Sequence, residues 1–423
     1  MTETDTDADW SRAEADVLAS ARELLAGDGR AVLATVIDVE GSAYRRPGAK
    51  MLIPEEGDGG IGHITAGCLE DEVERVAAEV LAAGEPRVER YDLMPEADDD
   101  VWGLGVGCNG VVDVLLEPID ESYGPVLDAL AAGEDVGVLT VVPAPAGDAD
   151  AAVDVADAGD EAGRGEGTGR GDDADGATAP VGARAYYDPG TGEFRLGDAF
   201  PAALAERLRD AAGTLTARGR ADTVAVDGTA VFVDGIAAPD DLYVVGTGND
   251  VRPIVEAGKR AGFRVTVVGF RGADARADRF PAADEVVSTS PARIREAVEL
   301  DGDSYVVVAT HNFVDDRLAL DELLASPVPY VGLMGPRERF EEMLEEFDEE
   351  GREFSSDELS RLYTPVGLDL GAGDPGGIAV SIVGEVLAVA NGREPRHLRD
   401  REGPIHDRLE VETDGGEPSP SGE

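Results

Sequence analysis

The stretch from Leu242 to Arg271 constrains the fold of this 423-residue chain more than any other. Apolar, β-branched residues from Leu242 to Val245 run into Gly246-Thr247-Gly248. A segment with apolar side chains at Val251, Ile254, Val255 and Ala257 follows, and a second apolar run covers Val265 to Val268. Strand, glycine turn, helix and strand in that order make one βαβ unit. Such a unit requires a parallel sheet. Its glycine turn presents backbone N–H groups at a helix N-terminus, where phosphate or another anion is favoured.

The turn is an incomplete dinucleotide fingerprint. A full pattern places a third glycine at Val251 and a carboxylate about 20 residues on, to hold a ribose hydroxyl. This chain has Val268-Gly269-Phe270-Arg271 there, with no carboxylate at the strand end. Asp250 stands where it can satisfy the first helical N–H groups itself, and Pro253 is tolerated in a first turn. Two readings stay open: a tight turn that closes a βα unit, or a turn that touches phosphate.

The pattern continues downstream. Glu285-Val286-Val287, Tyr305 to Ala309 and Tyr330 to Leu333 read as strands, with helices from Pro291, over Asp315 to Leu324, and from Gly335-Pro336-Arg337 to Phe347. Strands alternating with helices predict a Rossmann-like, doubly wound parallel sheet over 239–392, whose ligands bind beyond the strands' C-terminal ends. That gathers Gly246 to Gly248, Thr310-His311-Asn312 and Gly335-Pro336-Arg337 around one crevice. His311, on a loop after a strand, is placed for ligand contact or acid–base work, with Asp315 and Asp316 either orienting it or capping the next helix. Arg337 beside a helix start suits an anion or a surface salt bridge. Gly371 and Gly373 allow close approach of backbone to a ligand or to another strand.

The first half, 10–238, reads as a mixed α/β domain: a helix from Trp10 to Leu25, strands at Ala31 to Val39, Met51 to Ile53 and Val111 to Leu116, and a helix ending at Ala83. Between the first two strands, Arg45, Arg46 and Lys50 place three cations within six residues. In an acidic chain that cluster is a landing site for an anion, unless neighbouring carboxylates take it up. Cys68 falls near a helix start, where orphan N–H groups favour a thiolate, although Glu70, Asp71 and Glu72 oppose this; a small buried hydrophobe is the plainer reading. His63, Cys68, Glu70 and Cys108 lack the spacing of a zinc site. Cys108, at the tip of the glycine-rich run Trp102 to Gly110, either approaches a ligand or closes a tight strand connection.

Composition narrows the class. Residues 143–178 are almost devoid of large apolar side chains and read as a disordered acidic insertion, and 393–423 as a polar acidic tail. The formal net charge of -53, with only two lysines, repels nucleic acid and anionic membrane. A cytosol of molar salt is its simplest account. Two distant cysteines, an acidic N-terminus and no membrane-length apolar run point to a cytoplasmic protein.

Several motifs taken together resemble the XdhC/CoxI family, accessory proteins for xanthine dehydrogenase, carbon monoxide dehydrogenase and related molybdenum hydroxylases. They are Glu40-Gly41-Ser42 with Arg45 and Gly48-Ala49-Lys50-Met51; Gly67-Cys68-Leu69-Glu70; the run before Glu117-Pro118; Gly246-x-Gly248; Arg279-Phe280-Pro281; Thr310-His311; Tyr330-Val331-Gly332; and Gly367-Leu368-Asp369 with Pro375 and Ile378 to Ile382. The resemblance implies a maturation factor that binds molybdenum cofactor, as molybdopterin or its nucleotide form, supports its sulfuration and delivers it to the apo-enzyme. The implied partners are the large subunit of a molybdenum hydroxylase and a cysteine desulfurase, and paired domains of this kind could form a homodimer. On this resemblance the cofactor contacts are Ser42, Arg45, Lys50, Gly67, Cys68, Cys108, Gly246, Gly248, His311, Arg337 and Asp369. The chain departs from the family pattern at Tyr44, Ala66, Asn249-Asp250, Phe270 and Gly376-Gly377. Two other functions stay in view: an NAD(P)-linked oxidoreductase using His311 as acid–base, and an adaptor that docks enzyme and desulfurase without cofactor.

The charge carries a first prediction. Raising salt from about 0.1 M to about 1 M contracts the screening length from about 10 Å to about 3 Å. The thermal midpoint should therefore rise across that range; a midpoint that falls would show that attractive ion pairs outweigh self-repulsion.

Overall fold

The structure, a computed structural model, describes residues 14–42, 44–56, 59–93, 109–143, 179–217 and 219–402. Cys108, its glycine-rich run up to that residue, the acidic insertion beyond Pro143 and the tail beyond Glu402 lie outside the described residues. The chain divides between Ala238 and Pro239 into two compact units. Among the described residues no helix is long and apolar enough to cross a membrane.

Unit 1 runs α1 (Glu14–Ala26), β1 (Ala31–Ser42), β2 (Lys50–Pro54), β3 (Ile61–Gly62), α2 (Glu70–Ala83), β4 (Arg87–Asp92), β5 (Asn109–Ile119), α3 (Gly124–Ala132), β6 (Val136–Val142), β7 (Arg184–Asp188), β8 (Glu193–Leu196), α4 (Ala202–Arg207), α5 (Arg209–Thr216), β9 (Ala221–Val226) and β10 (Thr229–Ile236). These strands form two five-stranded antiparallel sheets, ordered β3-β2-β1-β5-β4 and β8-β7-β6-β10-β9. Period-two alternation sorts β1 between two cores. Val32, Ala34 and Val36 meet α2, whereas Ala31 and Leu33 meet α1, α3 and the second sheet. Ile37, Leu115, Val142, Ala230 and Phe232 seal the sheets together, and α4 and α5 cover the far side of the second sheet. Strand β4 escapes the sequence reading because four of its six residues are charged, none is fully buried, and it pairs only with β5. Helices α4 and α5 follow one another directly, with the break at Leu208.

Charge is buried between these sheets. Lys50 Nζ lies 2.7 Å from the Asp234 carboxylate and donates to the Gly48 carbonyl at 2.8 Å. Lys50 is only 3% exposed. Arg184 Nη2 reaches both oxygens of Glu117 at 2.6 Å, and its guanidinium stacks over Tyr123. Burial pushes the Glu117 and Asp234 carboxyls up, and the cations beside them pull them back. Lys50 is thus a structural clasp between sheets and no landing site for a ligand, which corrects the expectation drawn from its spacing to Arg45.

Unit 2 runs β11 (Asp241–Val245), α6 (Val251–Arg260), β12 (Arg264–Gly269), β13 (Glu285–Ser288), α7 (Ile294–Ala297), β14 (Ser304–Val308), α8 (Phe313–Leu324), β15 (Tyr330–Leu333), α9 (Arg337–Glu349), α10 (Ser356–Ser360), β16 (Leu362–Tyr363) and α11 (Pro375–Ala390). All six strands are parallel, ordered β13-β12-β11-β14-β15-β16. Helices α6 and α11 pack on one face, and α8 and α9 on the other, so β11 and β14 are buried on both sides. The order reverses between β11 and β14. That is the switch point where doubly wound sheets take ligands.

Breaking one buried pair should cost far more than removing both members. Lys50→Met strands Asp234 and should destabilise by about 3–5 kcal/mol, whereas Lys50→Met with Asp234→Leu should recover most of that loss. Urea unfolding of the three proteins is the check, and equal losses in single and double variants would refute the clasp.

Candidate functional site

In unit 1 the connection from β1 to β2 is zipped shut by backbone. Gly48 N–H donates to the Val36 carbonyl at 2.8 Å and Val36 N–H to that of Ala49 at 2.9 Å. Gly48 has φ +96°, and a Cβ there would meet Ala221 of the second sheet at 3.2 Å. The loop ahead of it projects Tyr44, Arg45 and Arg46. Arg45 pairs with Glu14 and donates to His63 Nε2 at 3.1 Å. A guanidinium only donates, so His63 Nε2 accepts. Arg46 is exposed and, among the described residues, joins no ion pair. Desolvation, then repulsion from Arg220 and from Arg45, hold its pKa below the usual arginine value despite Glu14. Arg45 and Arg220 thus both lie near enough to repel Arg46, and Glu14, which attracts it, is paired with Arg45. Sequence spacing reached Arg45 and Arg46; Arg220, 174 positions beyond Arg46 by numbering, leaves no local signal.

Beside this lies the loop that carries Gly67 and Cys68. Glu70, 3% exposed, accepts from Thr65 N–H at 2.8 Å, Thr65 Oγ1 at 2.5 Å and Leu69 N–H at 3.1 Å, and Thr65 Oγ1 in turn accepts from Cys68 N–H at 3.1 Å. Burial pulls the Glu70 carboxyl up, but these hydrogen bonds outweigh it and hold it below the ordinary range. Gly67, at φ +96°, takes the left-handed turn this requires. Half-buried Cys68 packs against the α2 core. The anion at the start of α2 is thus the chain's own Glu70. Ser42 closes β1, and its side chain lies outside the described residues.

In unit 2 the ends of β11 and β14 are level, Val245 opposite Val308. Gly246 passes so close to β14 that a Cβ would lie 2.4 Å from the Ala309 carbonyl, and its φ is +149°. Its N–H is already given to Val268 at 2.9 Å. Arg279 braces the turn by donating to the Thr247 carbonyl at 2.8 Å. Across the switch point His311, held at φ +58°, places Nε2 2.6 Å from Asp250 Oδ2. A left-handed histidine is uncommon, and its neighbours tie it down. Thr310 Oγ1 bonds to Asp316, which is 1% exposed and also holds Arg339, while Asn312 Oδ1 caps α8 through Val314 and Asp315.

Several expectations change here. Asp250 makes no capping hydrogen bond to α6, because its carboxylate turns to His311. Neither Asp315 nor Asp316 orients His311: Asp315 pairs with Arg271 at 2.6 Å, and Asn312 does the capping. Arg339, not Arg337, reaches the strand-end loops; Arg337 is exposed at the uncapped start of α9 and, among the described residues, has no ion pair. Asp369 is exposed, and Gly371 and Gly373 would meet nothing within 4 Å, so no close backbone approach explains them. Gly367 is the crowded glycine: its N–H donates to Glu385 at 2.8 Å, and a Cβ would strike Ser381 Oγ at 2.6 Å. Among the described residues no group of three or more His, Cys, Asp or Glu could hold a metal ion.

Comparison with known proteins matches this division. A family profile described as "XdhC and CoxI family" matches residues 24–92, and one described as "XdhC Rossmann domain" matches 242–386. A protein of Bacillus subtilis (strain 168) described as a probable xanthine dehydrogenase component is 28% identical over 372 residues, which cover 86% of this chain and 94% of that protein. "Uncharacterized protein YqeB" of Escherichia coli (strain K12) is 30% identical over 179 residues, 41% of this chain and 32% of its own. A crystal structure described as a xanthine dehydrogenase from Bacillus halodurans superposes with TM-score 0.66 at 28% identity, covering 89% of this chain and 96% of that one.

The Glu70 arrangement is open to test. A carboxyl held below its unfolded value contributes stability that is fully present above about pH 4.3 and is lost as pH falls through the folded value. Glu70→Gln should cost roughly 1–2 kcal/mol at neutral pH, through the hydrogen bonds it weakens. The gap from wild type should close as pH falls through the lowered folded value. Cys68 should also alkylate faster in the variant at neutral pH; an unchanged rate would show that Glu70 does not hold the loop.

Proposed function

We propose, because the XdhC and CoxI family profile and the XdhC Rossmann domain profile match in order along the chain, that this is an XdhC/CoxI-type accessory factor for a xanthine dehydrogenase-type molybdenum hydroxylase. Its work on this reading is to bind molybdenum cofactor as cargo, hold it while a terminal ligand on the metal is exchanged for sulfur, and deliver it to the large subunit of the apo-enzyme. The sulfur source is a cysteine desulfurase. The names of the Bacillus relatives support the client class.

One observation carries the cargo reading: Arg45 and Arg220 both repel Arg46, and Glu14, the carboxylate that acts on Arg46, is already paired with Arg45. In a chain of net charge -53, an exposed arginine with no ion pair among the described residues, whose positive neighbours repel it, is relieved by an anion. The phosphate of a pterin cofactor supplies one. Arg46 is the residue to grip it, and Arg45, already anchored to Glu14 and His63, gives that grip a fixed wall. Glu70 holds the Cys68 loop in place. The clasp role of Lys50 removes it from the set of contacts.

The chain purified from a host that makes the cofactor, under reducing and anaerobic conditions, should carry molybdenum and pterin fluorescence in a ratio near one per chain. Arg46→Glu reverses a charge at the proposed grip and should lower retention at least tenfold, by about 1.4 kcal/mol or more, with the thermal midpoint unchanged. Absence of both signals from the wild-type protein counts against cargo binding, and a stable client complex without pterin would identify an adaptor instead.

A further inference from the structure

Unit 2 has the shape of a dinucleotide site and the wrong charge for one. Its sheet reverses direction between β11 and β14, its first helix α6 starts after Gly246-Thr247-Gly248, and a diphosphate in such a fold lies over that turn against the helix N-terminus. Here the Asp250 carboxylate occupies that space. Its Oδ1 lies 2.3 Å from where a Cβ of Gly248 would stand, and its Oδ2 reaches His311 at 2.6 Å across the switch point. The two loops that would flank a ligand are thereby joined to each other.

The cations nearby do not offset that carboxylate. Arg279 is turned towards the Thr247 and Asp274 carbonyls, Arg271 is paired with Asp315, and Arg252 is exposed on the first turn of α6. The Gly246 N–H, which would otherwise face a phosphate oxygen, is spent on β12. A phosphoryl group would have to displace His311 from Asp250 and then sit against an unpaired carboxylate. A like charge at contact distance disfavours that strongly.

We infer that Asp250 is a specificity-determining residue that closes the glycine turn to phosphate-bearing nucleotides, so that the crevice takes a ligand presenting hydrogen-bond donors to the Asp250–His311 pair. A protonated or neutral N–H or O–H group meets an acceptor there, and a diphosphate meets repulsion. The inference concerns unit 2 alone and stands whether or not unit 1 retains cofactor.

Calorimetric titration of the full chain with ADP-ribose and with inorganic pyrophosphate, at one ionic strength, tests it. Wild-type protein should bind both more weakly than about 1 mM. Asp250→Asn keeps the side chain's shape and frees the imidazole to donate to phosphate, and it should bind at least about tenfold more tightly. Asp250→Ser should show the same gain, guarding against an effect peculiar to the amide. His311→Ala leaves the carboxylate bare and should show no gain. Tight binding by wild type, or no gain in either Asp250 variant, overturns the proposal. A gain in His311→Ala equal to that in Asp250→Asn overturns it too, since exclusion would then come from bulk and not from charge.

Discussion

Carboxylates outnumber cations 89 to 36 in this chain, and that imbalance governs where each cation comes to rest. Arginines at and just below the surface are shared among several acids: Arg75 between Glu72 and Glu79, Arg317 between Glu346 and Glu350, Arg352 between Asp321 and Glu358. Each such pair contributes about 0–1 kcal/mol. Two further cations go between the sheets of unit 1, where Lys50 and Arg184 meet Asp234 and Glu117. Against that background Arg46, which like Arg337 has no ion pair among the described residues, gains its interest from the repulsion of Arg45 and Arg220.

The same excess of acid fills the helix N-termini. Backbone N–H groups at a helix start favour an anion, and this chain repeatedly supplies its own. Glu70 takes the Thr65 and Leu69 N–H groups beside α2, and Asp374 caps α11 through Gly377. Asp250 stands over the turn before α6 without capping it, because His311 claims its second oxygen. Positions that glycine spacing marks as phosphate cradles are thus occupied or guarded from within.

Much of unit 2 was legible in the order of its residues. Its strands are short, continuously apolar runs, as buried parallel strands must be, and the glycine turn at Gly246 is forced by the approach of Ala309. Unit 1 was less legible. Strand β4 carries charges on its open side, and the break between α4 and α5 falls at Leu208, whose side chain is fully buried in the second core. Site residues divided in the same way. Arg45, Arg46, Cys68 and His311 stood out by local context, whereas Arg220, Arg339 and the Thr65–Glu70 tie needed geometry.

Local order in the chain determined the element types, the parallel sheet of unit 2, its strand-end loops and the place of its glycine turn, because run length and glycine position act over a few residues. Tertiary structure alone decided which charges remain available. Lys50 meets Asp234, Arg45 meets Glu14, Arg46 feels Arg220, and Asp250 meets His311. Coulomb and hydrogen-bond energies depend on separation in space, and sheet pairing brings together residues that no spacing rule along the chain connects.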